Sequence, residues 1–125
     1  MAQASLRAED DPALDEVFET LSNQDCRELI QAMDQPRTAA ELSERSDVPL
    51  STTYRKIEQL ADAGLVDDVI EIREDGRHTS RYYPNFVTIE VNLAEDRTMH
   101  IDITRPPSTA DERLADLWSE VRKEV

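Results

Sequence analysis

Between Val48 and Ile57 the chain places Ser51, Thr52, Tyr54, Arg55 and Lys56, and no acidic residue. Short hydroxyls, a phenol, a guanidinium and an ammonium at this density can bind a polyanion, and nothing among them repels one. At helical spacing Ser51, Thr52, Arg55, Lys56 and Gln59 share one face, with Tyr54 at its border. Thr53, Ile57, Leu60 and Ala61 share the other and form its inward side. Arg37 and Thr38 precede this stretch, and Arg73, Arg77, His78 and Arg81 follow it. Other chemistries find less support. No nucleophile motif, phosphate-binding loop or acid–base pair occurs, so no enzymatic activity is expected. Cys26 stands alone on an apolar stripe and reads as core. His78 and His100 lack a second ligand at metal spacing, and His100 falls on the polar, exposed side of its strand. Neither a metal nor a cofactor is expected.

The elements that position these residues follow from periodicity and punctuation. Residues 1–10 lack an apolar period and read as a disordered lead-in. Asp11-Pro12 starts a helix with Leu14, Val17, Phe18 and Leu21 in one stripe. Ser22 and Asp25 suggest a second cap, followed by Cys26, Leu29, Ile30 and Met33 until Pro36. Thr38-Ala-Ala-Glu41 reads as a capping box for a short helix with Ala39 and Leu42 inward. A turn at Ser46-Asp47-Val48 leads to a longer helix over about residues 49–63, closed by Gly64.

The period then shifts to two. Ile70 and Ile72 alternate with Glu71 and Arg73, residues 74–77 turn, and residues 79–83 return. Val87, Ile89, Val91 and Leu93 against Met99, Ile101 and Ile103 make a second hairpin around a turn at 94–97. Pro106-Pro107 closes it. A capped last helix carries Leu114, Leu117, Trp118 and Val121 on one side.

Composition sets the outer limits. A length of 125 residues suits one domain that buries roughly 65% of its unfolded surface. No run reaches the ~18 apolar residues of a membrane span and no signal peptide opens the chain, so a cytoplasmic protein with no membrane contact is expected. The 28 acidic residues face 14 basic ones, for a net charge of −14, and only Lys56 and Lys123 are lysines. In dilute buffer that charge strains the compact state, whereas at molar salt a Debye length of ~3 Å screens it. An acid-rich, lysine-poor chain resembles the proteins of salt-in halophiles such as the haloarchaea.

A capped short helix, a tight turn, a second helix with a polar N-terminal face and a hairpin follow the order of a winged helix-turn-helix. The stretch "TAAELSERSDVPLSTTYRKIEQLADAGLV" is similar to the core of winged helix-turn-helix transcription regulators, and among them to the ArsR-like regulators of archaea. "GRHTSRYY" resembles their wing, and the likeness covers about residues 14–84. It implies an α+β fold: a winged helix-turn-helix over 11–84, an added β-hairpin over 85–105 and a C-terminal helix over 106–125.

The resemblance also implies sequence-specific binding of double-stranded DNA to regulate transcription. The helix at 49–63 would enter the major groove N-terminus first, and the wing at 73–81 would reach the adjacent minor groove or its phosphates. Ser51 and Thr52 suit close approach, and Arg55 can fork onto a guanine edge or clamp a phosphate, flanked by Tyr54 and Lys56. Thr38, with Arg37, can grip the backbone, while Arg73, Arg77, His78 and Arg81 serve the wing. Residues 37–81 still hold seven bases against ten acids, a sum of −3. Salt cations bridging carboxylates and phosphates at the interface are therefore part of the expectation.

The second hairpin, the first helix and the last helix either pack on their own core or build a homodimer interface, and the dimer is preferred. Two further readings remain beside DNA binding. One is a winged-helix protein-interaction module with an acidic surface, and the other is a ligand-responsive sensor.

Overall fold

The computed structural model describes residues 11–107. The lead-in at 1–10 and the last helix with Leu114, Leu117, Trp118 and Val121 lie outside the described residues. Helix α1, Pro12–Ser22, starts where Asp11 accepts the Ala13 N–H at 3.0 Å. Its buried arc holds Leu14 and Val17 and extends to Thr20, 1% exposed. That rotation leaves Phe18 at the rim, 47% exposed, against the inward place its spacing suggests.

Helix α2, Gln24–Ala32, is capped by Asn23, which accepts the Cys26 N–H at 3.1 Å. The expected cap, Ser22, instead ends α1 and donates to the Glu19 carbonyl at 2.8 Å. Cys26 and Leu29 are fully buried, and burial pushes the Cys26 thiol up in pKa, with the nearby Lys56 charge opposing.

Helix α3, Ala39–Ser46, carries the expected capping box. Glu41 N–H donates to Thr38 Oγ1 at 3.2 Å, and Thr38 N–H donates to the Glu41 carboxylate at 2.9 Å. Asp47 closes the helix with φ +62°, a left-handed position that Asp tolerates better than most residues. Helix α4, Leu50–Asp62, follows at once, one residue shorter at each end than expected. Thr53, Ile57 and Leu60 face inward, whereas Ala61 is exposed. Gly64, φ +78°, then reverses the chain, and a Cβ there would meet Arg105 Nη2 at 3.2 Å.

Strands β1, Val66–Ile72, and β2, His78–Pro84, pair antiparallel with Val69 opposite Arg81. The hairpin begins earlier than the alternation at Ile70 suggests. Both isoleucines point to solvent, Ile70 at 63% and Ile72 at 70% exposure. Strands β3, Thr88–Leu93, and β4, Met99–Thr104, pair Ile89 with Ile103, Val91 with Ile101 and Leu93 with Met99. This apolar face half-covers the helical core: Ile101 is buried and Ile89 and Ile103 pack on the cluster, while Val91 and Leu93 overhang it. Asp11 N–H donates to the Met99 carbonyl at 3.2 Å and ties α1 to β4. His100 is half-buried rather than free: it lies 2.8 Å from the Thr98 hydroxyl, which donates to Asp96 at 2.6 Å. The core itself joins Leu29, Leu42, Leu60 and Leu65, each fully buried and each contributing about 2 kcal/mol.

Candidate nucleic-acid interface

The turn between α3 and α4 is held from inside. Val48 is buried, its carbonyl accepts from Ser43 Oγ, and Thr53 Oγ1 donates back to the Pro49 carbonyl at 3.0 Å. With that turn fixed, the first two turns of α4 project one face outward. Ser51 and Arg55 are exposed, Tyr54 is 55% exposed, and Thr52 is half-buried. Arg55 Nη2 donates to Thr52 Oγ1 at 3.4 Å, which holds the guanidinium along the helix toward its N-terminus. Leu50, 44% exposed, stands beside Ser51 and was not singled out by its type. An aliphatic chain at that point can meet a thymine methyl group. Lys56 is half-buried, and its charge is felt at the buried Cys26 thiol.

The start of α4 differs from the other described helices. Helices α1, α2 and α3 carry Asp15, Asp25 and Glu41 in their first turns, and each has a side-chain N-cap. Helix α4 has no first-turn acid and no side-chain cap. Its leading N–H groups therefore keep their donor capacity, and the positive end of its dipole is uncompensated. Together these features suit an anion such as a phosphate.

Farther along, the electrostatics reverse. Glu16 and Glu19 of α1 with Glu58, Gln59 and Asp62 of α4 line an open groove of about 480 Å³ in which Arg55 is the one base. The first two turns of α4 carry no carboxylate of their own, but Arg55 borders a groove with two on α4, Glu58 and Asp62, and two on α1, Glu16 and Glu19.

The hairpin β1–β2 divides its bases by position. Arg73, Arg77 and His78 near the tip are exposed, Arg77 at 83% of its side chain, with Asp75 at 3.6 Å. Arg81 at the root is not free: Nη1 lies 3.0 Å from Glu41 and Nε 3.5 Å from Glu71. Arg37 departs from the expectation of a backbone grip. Its side chain is 8% exposed and paired with Asp34 at 2.8 Å, while its backbone bridges to Tyr82. The pull of Arg37 holds the Asp34 carboxyl below the usual range. Tyr82 is half-buried at the same junction, and burial raises its phenol, with Asp68 and Tyr54 adding to the shift. Glu41 has a second role beside its cap, as the acceptor for Arg81, which the capping-box spacing does not signal. The acid-free run 76–89 was the missed signal that the return strand, too, is kept clear of negative charge.

Residues 21–69 match the family profile of a helix-turn-helix domain. No curated protein matches the chain. Among solved structures, a zinc-bound manganese uptake regulator is similar at 20% identity and a TM-score of 0.40, over 85% of this chain and 83% of that one. The matched residues run from the end of α1 into β1, and the β1–β2 hairpin follows directly. The chain thus carries a winged helix-turn-helix domain, a fold of DNA-binding transcription regulators.

Proposed function

We propose that the protein is a sequence-specific transcription regulator that binds duplex DNA as a homodimer, in the manner of the ArsR-like regulators of haloarchaea that its sequence resembles. The observation that carries this reading is the acid-free, uncapped start of α4, with Ser51, Tyr54 and Arg55 outward while Thr53, Ile57 and Leu60 are buried. In the bound state the first two turns of α4 enter the major groove, and Arg73, Arg77 and His78 lie at the neighbouring minor groove or its phosphates. Thr38 remains near the backbone path, whereas Arg37 and Arg81 serve structure. Two copies join through the overhanging row of Val91 and Leu93 with Phe18 and the stripe of Leu114, Leu117, Trp118 and Val121. The half-sites then lie about one helical turn apart.

The groove acids require concentrated salt, with cations between carboxylates and phosphates. Duplexes selected by the protein from a randomised library in molar KCl, then titrated by fluorescence anisotropy across a KCl series, test this. A shallow or rising dependence of affinity on salt is expected. The steep fall of a broadly basic binder contradicts the salt-bridged interface, and selection of no duplex removes the function.

The acidic groove supports a second reading, a module that binds a basic protein. In that case Arg55→Ala leaves any DNA binding unchanged, and partner binding depends on Glu16, Glu19, Glu58 and Asp62.

A further inference from the structure

The wing's arginines face different tasks. Arg77, at the turn, is 83% exposed, whereas the Arg81 side chain, four residues back along β2, is 24% exposed and lies between two carboxylates. One of those, Glu41, is the acid of the capping box on α3: the same oxygen that receives Arg81 Nη1 at 3.0 Å receives the Thr38 N–H at 2.9 Å. Directly beside it, Arg37 N–H donates to the Tyr82 carbonyl at 3.1 Å and Tyr82 N–H donates to the Arg37 carbonyl at 2.7 Å. The chain just before α3 therefore acts as a short extra strand against the root of β2. Arg37 is itself held by Asp34.

We infer that Arg81 is a positioning residue: with Glu41 and the Arg37–Tyr82 backbone pair, it clamps the root of the wing to the start of α3. The clamp thereby sets where the wing tip falls relative to α4 on a duplex. This rests on the DNA-binding reading above. The lever is short and stiff. From Arg81 to Arg77 the strand advances about 13 Å, so a tilt of about 10° at the root moves the tip by about 2 Å. A shift of that size exceeds the tolerance of a hydrogen bond to a phosphate.

Charge and position make opposite predictions for one substitution. Glu41→Gln keeps a side chain able to close the capping box but removes the charge that holds Arg81. If only charge mattered, losing a carboxylate beside a polyanion would tighten binding. If Glu41 acts through Arg81 on the wing, binding weakens.

The test uses the full chain and the duplex selected by the wild-type protein in molar KCl. Glu41→Gln and Arg81→Gln are each expected to weaken binding about three- to tenfold, and the double variant no further than the weaker single. Arg81→Lys should recover part of the loss. On the same duplex shortened to exclude the wing's flank, all variants should match wild type. In the free protein, both single variants should speed hydrogen exchange of the Tyr82 amide.

Tighter or unchanged binding by Glu41→Gln alongside a loss in Arg81→Gln would overturn the inference, because Arg81 would then be a direct phosphate contact. Additive losses, or an unaltered Tyr82 exchange rate, would also overturn it. If the wild-type protein selects no duplex, the DNA reading fails and the wing has no site to be positioned on. The exchange result still reports whether the clamp exists.

Discussion

Two arginines of the same type have opposite fates, and their neighbours decide which. Arg55 has Thr52 one turn before it and stays in solvent, whereas Arg37 has Asp34 three residues before it and is drawn against the protein. Asp34 and Glu41, each bound to an arginine near the wing root, are shifted down in pKa. Asp34 owes its shift first to the Arg37 hydrogen bond, and Glu41 owes its shift first to the Thr38 N–H, with burial opposing and the Arg81 charge adding to it. A carboxylate whose folded value lies below its unfolded one stabilises fully above the ordinary value of ~4.3 and loses that contribution as pH falls through the lowered one. Urea midpoints of wild type and Glu41→Gln should therefore differ by a constant amount above about pH 5 and converge on acidification. A gap that stays constant down to the acid transition would show that the Glu41 charge does not stabilise the fold. At this scale the sequence was legible for Thr38 and Glu41, whose spacing is diagnostic. It was not legible for Arg81, whose partner Glu41 is brought from a helix forty residues away, nor for Arg37, whose side chain could reach a duplex as readily as the nearby Asp34 until the Tyr82 backbone fixed its place.

The elements themselves follow from local chemistry, and both hairpins show how. Glu74-Asp75-Gly76 and Glu95-Asp96-Arg97 form matching three-residue loops: Asp75 accepts the Arg77 N–H at 2.9 Å and Asp96 accepts the Thr98 N–H at 3.0 Å. The third position is left-handed in both, with φ +84° at Gly76 and +74° at Arg97. Glycine suits that position and arginine does not, so Arg97→Gly should stabilise the protein by about 1 kcal/mol and Gly76→Ala should destabilise it by a similar amount. Thermal unfolding of the two variants checks this, and a loss of stability in Arg97→Gly would show that its side chain holds something the turn needs. The second hairpin was the clearest pattern because its alternation is unbroken. The first strand of the wing was read short because Asp67-Asp68 interrupts the alternation after Val66. Burial could not be read from that period: Ile70 and Ile72 alternate as a core face does, yet nothing among the described residues covers them. The Asn23 cap was missed for a related reason, since Ser22 is an equally good capping type one residue earlier.

Across the whole molecule, negative charge is placed rather than merely abundant. The chain carries −14 overall, and the acids leave free the first two turns of α4 and the strand that returns from the wing tip. Four carboxylates line the groove beside α4 and α1, away from the helix start. The central claim is that this helix start is where the polyanion binds. Ser51→Glu tests it most directly, because an acid in the first turn of α4 should leave the fold intact or slightly stabilise it through the helix dipole. In an anisotropy titration in molar KCl with the duplex selected by the wild-type protein, Ser51→Glu should weaken binding by about 2 kcal/mol or more, roughly thirtyfold, with an unchanged or higher melting temperature. Wild-type affinity in the folded Ser51→Glu variant would contradict the account.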